Sequence, residues 1–426
     1  MLTLLFVVLL LADIGVRLWL GSRQVRHVAR HRNAVPAEFS ARIGLASHQR
    51  AADYTVARVR LGMLHRVFDA AVLVCLTLLG GLQAIDTFAA DVAPNDFLRQ
   101  LFLLACVGLL LALLELPFTL WRQFRLEARF GFNRMTPALF IADTVKGLGL
   151  SLIIGLPLVA AILWIMGQSG PLWWVWAWAL WVGFSLLSVL LYPTLIAPLF
   201  NTFTPLADQT LTARIEQLAR RCGFAIKGLF VMDGSRRSGH GNAYFTGFGK
   251  SRRIVFFDTL LQRLNGDEIE AVLAHELGHF AHRHILKRIA FMFAVALGFF
   301  AVLGWLAQQQ WFYVQLGVLP QLGGRNDAMA LLLFVLVMPV FTFPFTPLAS
   351  WYSRRDEFQA DQYAARQSAP GNLVSALVKL YDDNAATLTP DPIHSAFYDS
   401  HPPATVRIQH LLSGPARPAA AAGQPS

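Results

Sequence analysis

Charge is what this sequence has least of. Only 15% of its 426 residues are Asp, Glu, Lys or Arg, against roughly 25% in an ordinary soluble domain. That shortage excludes a disordered chain and a coiled coil, both of which depend on charge to stay solvated. Cysteine is scarcer still. Cys75, Cys106 and Cys222 lie far apart, two of them in apolar runs, so neither a disulfide framework nor a thiolate metal site is expected. No basic residue precedes the first apolar run and no small-residue cleavage site follows it, which argues against a cleaved signal peptide.

What the chain has instead is grease. It is 55% hydrophobic, with a mean hydropathy of +0.48. Apolar stretches run over Thr3–Leu20, Val67–Ile85, Leu101–Leu120, Leu148–Met166, Leu172–Leu195, Ile289–Leu306 and Ala328–Leu348. Most approach the roughly 20 residues needed to cross a bilayer. The expectation is an all-α integral membrane protein with about seven transmembrane helices. Asp13 and Arg17 interrupt the first stretch four residues apart, on one helical face where they can pair. Asp69 and Glu115 sit at membrane depth and should face either a water-filled cavity or a partner helix.

The formal charge of +10 points to basic loops at a membrane, not to nucleic acid. Between Leu20 and Val67 lie nine arginines against Glu38 and Asp53. The next loop is acidic, and the loop after Leu120 is basic again. This alternation predicts an N-terminus outside, with the first, third and fifth loops and the C-terminal segment in the cytoplasm. The predicted domains are residues 1–200 (five membrane helices and N-terminal cytoplasmic loops), 201–287 (first part of a soluble domain), 288–350 (two more membrane helices), 351–412 (its second part) and 413–426 (a disordered Ala- and Pro-rich tail).

The fifth loop opens with an amphipathic helix over Asp208–Arg221. Short strands follow over Gly228–Met232, Asn242–Phe248 and Arg252–Asp258. A second helix is capped by Asn265 or Asp267, with acids in its first turn. Within it lies His275-Glu276-Leu277-Gly278-His279. Histidines four apart share one helical face and can reach one metal ion. Glu276, rotated about 100° from His275, can act on a metal-bound water without taking a coordination position.

Two histidines leave zinc one protein ligand short. A histidine six residues beyond His279 would complete one known arrangement, but Ile285 stands there. His282 and His284 have the wrong offset and read as surface or outer residues. Glu357 and Asp361, in Ser353-Arg354-Arg355-Asp356-Glu357-Phe358-Gln359-Ala360-Asp361, lie one turn apart on one face. One can bind metal while the other orients a histidine, or both can be a solvated face.

HELGH followed by SRRDEFQAD resembles the type I CAAX prenyl endopeptidases, integral-membrane zinc metalloproteases. Glu127 with Gly131-Phe132-Asn133, Gly241 to Gly247 followed by Arg253 to Leu260, and Ser400-His401-Pro402-Pro403 with Arg407 are similar to further elements of that family. The match covers nearly the whole chain. The resemblance implies a ring of seven helices around a chamber, with a zincin-like domain of helices and a small sheet built from the fifth loop and the C-terminal segment. It makes His275, His279 and Glu357 the ligands of one Zn2+ per chain and Glu276 the general base. It also implies a second-shell or proton-donor role for Asp361, transition-state stabilisation by His401 and Arg407, and a substrate-holding strand edge at Asn242 and Ala243.

The expected function is zinc-dependent cleavage of membrane-associated or hydrophobic C-terminal, CAAX-type peptides by Glu-assisted attack of a zinc-bound water. Peptide or protein substrates and membrane lipid are the expected partners, and nothing in the sequence fixes an oligomeric state, although a monomer would suffice. The Arg-rich composition, with only five lysines, resembles that of a high-GC bacterium, which would place the protein in an inner membrane and favour a quality-control protease without prenyl specificity. An intramembrane site-2-type protease fits poorly, because Asp267, Glu268, Glu270, His282, Arg283 and His284 make the motif helix too polar for bilayer depth. A zinc-containing transporter or binding protein gains nothing from Glu276 beside its ligands.

Overall fold

The computed structural model describes residues 1–246, 251–321 and 324–413. Gly247 and Phe248 of the second expected strand and the tail from Gly414 to Ser426 lie outside the described residues. The chain divides into two compact units. One comprises Met1–Ser22, Ala57–Phe200 and Arg288–Thr346; the other comprises Arg23–Val56, Asn201–Lys287 and the segment beginning at Pro347.

The first unit is helical. Among the described residues, six helices of the chain are long and apolar enough to span a membrane. A seventh is the pair Leu45–Leu76 and Gly81–Val92 taken together, bent by 53°. The bend falls inside the apolar stretch expected over Val67–Ile85. Its cause is local: Gly80 adopts a left-handed φ of 79°, a conformation glycine takes without steric cost. A Cβ on the neighbouring Gly81 would come within 2.6 Å of the Cys75 carbonyl.

The core of this unit includes Phe6, Leu82, Leu103, Leu163 and Leu333, all fully buried. A buried ion pair lies in the same unit. Arg99 (5% exposed) meets Asp86 (3% exposed), and its Nη2 lies 2.8 Å from Asp96 and donates to the Arg325 carbonyl at 2.7 Å. His65, missed in the sequence reading, sits four residues before Asp69. Its Nε2 lies 3.2 Å from Asp69 and 2.7 Å from Glu115, so both carboxylates face one imidazole.

The second unit combines helices with a mixed sheet. Its strands are β1 (Phe203–Pro205), β2 (Ala225–Met232), β3 (Ala243–Thr246) and β4 (Ser251–Phe257), in the order β1-β2-β4-β3. β2 and β4 run parallel. The other two pairings are antiparallel, which leaves β3 at an edge. The amphipathic helix, Gln209–Arg221, is capped by the Asp208 side chain accepting from Leu211 N. It turns Leu211, Ile215 and Leu218 onto Leu229, Ile254 and Phe256 of the sheet and Leu273 and Leu277 of the motif helix. Residues 23–56, grouped by sequence with the membrane helices, fall in this unit. There Phe39 and Ile43 are buried with Val378, Leu388, Ala404 and Ile408, and Arg23 bonds Asp391 at 2.9 Å.

The Arg99–Asp86 pair generates a stability prediction for the first unit. Removing Asp86 leaves the buried Arg99 with only the half-exposed Asp96 and the Arg325 carbonyl, a partial loss of pairing whose upper limit is the about 3–5 kcal/mol of a fully broken buried pair. Asp86→Ala is therefore expected to lower the melting temperature of the detergent-solubilised protein clearly. The double variant Asp86→Ala, Arg99→Leu should recover part of that loss. A double variant as unstable as the sum of the single ones would show that the pairing is not the cause.

Candidate active site

The motif helix spans Gly266–Ala281. Asn265 caps it through a reciprocal pair of bonds, Glu268 N to Asn265 Oδ1 at 2.9 Å and Asn265 N to Glu268 Oε2 at 2.8 Å. The buried Glu268 carboxylate is completed by Lys379 at 2.8 Å and Ser375 at 2.7 Å. The cap therefore ties the helix start to the helix Pro370–Asp383 and fixes where His275 and His279 emerge.

Glu357 and Asp361 belong to the helix Thr346–Gln367, which packs against the motif helix at Gly278. A Cβ there would lie 3.0 Å from Ala360 Cα and 3.0 Å from Tyr363 Cβ. Only a residue without a side chain permits this approach. Within one turn of the contact, the two helices present His275, His279 and Glu357 to one another.

Their ligand atoms form a small triangle. His275 Nε2 and His279 Nε2 lie 3.3 Å apart, and the Glu357 oxygens lie 3.5 Å and 3.4 Å from them. A tetrahedral zinc with bonds of about 2.0–2.2 Å separates its ligand atoms by about 3.3–3.6 Å, so the donor set has the dimensions of one face of such a site. The Glu357 Oε2 atom is buried without a hydrogen bond, an unsatisfied acceptor that a cation would complete. Two nitrogens and a carboxylate oxygen are also the donor types zinc prefers.

Behind the triangle stands Asp361, fully buried. Its Oδ1 is 2.9 Å from His275 Nδ1, and its Oδ2 accepts from Arg407 Nε at 2.8 Å. Arg407 comes from the helix Ala404–Ser413 and is 6% exposed. Burial works against its charge, but the bonds to Asp361 more than offset that. Burial likewise opposes a charge on His275, yet the Asp361 and Glu357 carboxylates beside it raise the imidazole to about 9.

Among the other predicted residues, Glu276 is half-buried and makes no side-chain hydrogen bond among the described residues. His401 is exposed, with its Nε2 3.4 Å from Glu357 Oε1. Asn242 and Ala243 lie at the start of edge strand β3, where the Asn242 carbonyl accepts from Phe257 N at 2.9 Å. His284 was read as a surface or outer residue. It is 1% exposed and touches the back of His279, a placement that its offset from the motif does not reveal.

Comparison with known proteins agrees along the chain. A family model described as CAAX prenyl protease N-terminal, five membrane helices, matches residues 24–202, and one described as peptidase family M48 matches residues 205–414. The CAAX prenyl protease 1 homolog of Arabidopsis thaliana is 40% identical over 322 residues, 74% of each chain. CAAX prenyl protease 1 of Saccharomyces cerevisiae is 36% identical over 327 residues, 74% of this chain and 72% of that one. The crystal structure of S. mikatae Ste24p superposes with a TM-score of 0.90 at 29% identity, covering 96% of this chain and 98% of that one.

The close helix approach can be tested directly. Gly278→Ala places a methyl group against backbone and Cβ atoms that cannot swing aside, and such overpacking costs about 1–3 kcal/mol. The variant is expected to melt lower and to bind zinc more weakly, because the helices carrying the histidines and Glu357 are pushed apart. Chelator competition on purified protein measures the second effect. Wild-type affinity in the variant would mean that the approach at Gly278 does not set the triangle.

Proposed function

This chain belongs to peptidase family M48 and is an integral-membrane metalloendopeptidase, and from that premise we propose that it is a zinc enzyme cutting hydrophobic, CAAX-type C-terminal segments of membrane-associated proteins. The observation that supports this best is the triangle of His275, His279 and Glu357 with Asp361 behind it. The substrate class is taken from the names of the relatives, all from eukaryotes among those compared, and these similarities give no support to a bacterial source.

In this reading His275, His279 and Glu357 hold the zinc, which when bound supplies Lewis acidity to the scissile carbonyl and to the attacking water. Glu276, with no side-chain hydrogen bond among the described residues, takes the proton from that water and returns it to the departing nitrogen. Asp361 accepts from His275 Nδ1–H and so keeps Nε2 turned to the metal. His401, exposed beside Glu357, donates to the carbonyl oxygen as it gains charge. Arg407 is too deeply buried to reach substrate and acts by holding Asp361 and lending positive potential. The substrate backbone adds to the sheet at edge strand β3, beside Asn242 and Ala243.

Three variants separate these roles. Glu276→Gln is expected to abolish cleavage while zinc stays near one per chain, because the base is lost and the ligands remain. Glu357→Ala is expected to lose zinc and activity together. His401→Ala is expected to keep zinc and lower kcat by about 100- to 1,000-fold, the usual effect of one lost oxyanion donor, with little change in KM. Metal analysis and steady-state kinetics on a farnesylated CAAX peptide read all three. Full zinc in the Glu357 variant would refute the ligand set, and cleavage of only unprenylated peptides would refute the substrate class.

The basic first, third and fifth loops support a cytoplasmic position for the peptidase part, by the positive-inside rule. A single cysteine at Ser413, in a variant lacking the native cysteines, should therefore resist an impermeant thiol reagent on intact cells and react after permeabilisation. Labelling on intact cells would reverse the orientation.

A further inference from the structure

Each histidine of the motif has a second nitrogen, and the two are not served alike. His275 Nδ1 faces the Asp361 carboxylate. His279 Nδ1 instead lies 3.0 Å from His284 Nδ1. The other nitrogen of His284, Nε2, lies 2.9 Å from Gln359 Oε1, with Asp356 Oδ1 further off at 3.6 Å.

This contact is built in. The motif helix ends at Ala281, and the chain turns through Arg283, which has a φ of 56°. A positive φ is uncommon for a residue other than glycine, asparagine or aspartate, and costs of order 1 kcal/mol or more. His284 is the first residue of the next helix, His284–Leu306, and is 1% exposed. The turn brings its ring back over the motif helix, 5.2 Å from that of His279 between centroids.

Only one proton arrangement suits a metal at His279 Nε2. That nitrogen must offer its lone pair, so the ring proton sits on Nδ1. His284 Nδ1 must then accept it, which puts the His284 proton on Nε2, where Gln359 Oε1 accepts it in turn. The reverse arrangement would protonate His279 Nε2 and close it to metal.

We propose that His284 is a positioning residue of the zinc site, accepting the His279 Nδ1–H bond and itself held by Gln359, so that a neutral pair performs for His279 what Asp361 performs for His275. The proposal rests on the reading of His279 as a ligand. It also gives Gln359 a function inside the sequence Glu357-Phe358-Gln359-Ala360-Asp361: three alternate residues on one helix serve the metal, its second histidine through His284, and its first histidine.

The test uses the full chain in detergent, with zinc affinity measured by chelator competition and folding checked by thermal melting. His284→Leu removes the acceptor and fills the space, and affinity should fall about 10- to 100-fold, the usual effect of losing such a partner. Asn places its amide oxygen at the same bond count from Cβ as His Nδ1, whereas Gln matches Nε2. His284→Asn should therefore retain affinity better than His284→Gln. Wild-type affinity in His284→Leu overturns the proposal. So does equal affinity in the Asn and Gln variants, a comparison that stands even if the Leu variant does not fold. A His279→Ala control separates the premise: if that variant keeps full zinc affinity, the ligand assignment fails, and the role of His284 fails with it.

Discussion

The site hangs on one buried carboxylate. Asp361 has no contact with water and must be paired, because an isolated ionised group in the interior costs several kcal/mol. Its two partners come from opposite ends of the domain's sequence, His275 from the motif helix and Arg407 from the C-terminal helix. Neither partner is satisfied unless all three segments have docked. The same contact that neutralises Asp361 sets the tautomer of His275 and seats the C-terminal helix, which is further held by Ala404 and Ile408 against Phe39 and Ile43. Stability and site geometry are thus served by one set of bonds.

Much of this was legible in the sequence, and the part that was not has a physical reason. The apolar stretches announce themselves because a membrane helix must be apolar along its whole length. His275, Glu276 and His279 are legible because one helical turn places them, and Glu357 and Asp361 for the same reason. Spacing alone could not choose between a metal site and a solvated face for the two carboxylates; that depends on Gly278, whose missing side chain lets the second helix approach. Arg407 and His401 are 46 and 40 residues from Asp361 in sequence and entered only through a family resemblance.

The offset of His284 from His279 is wrong for a ligand and leaves open both a surface position and a supporting one behind the ligands. A residue that supports a ligand from behind answers to a different geometry, here set by the positive φ at Arg283. The first loop was similarly opaque. Its nine arginines signal which side of a membrane it occupies, while Phe39 and Ile43, which pack it into the second unit alongside the Arg23–Asp391 pair, are ordinary hydrophobic residues with no periodic pattern around them.

The unequal backing of the two histidines bears on how well the site can support charge. Asp361 carries a negative charge, but Arg407 cancels it within 3 Å, and the pair behind His279 is neutral. In the proposed reading, a divalent cation held by Glu357 and two neutral imidazoles would leave the inner set one net positive charge, and the Glu276 carboxylate next to it would bring the local sum to zero before reaction. Glu276 would become neutral on taking a proton from water, just as negative charge develops on the carbonyl oxygen. The site would then meet that oxygen with an unchanged sum and without any further group having to ionise, in a setting where each charge is worth more than in water.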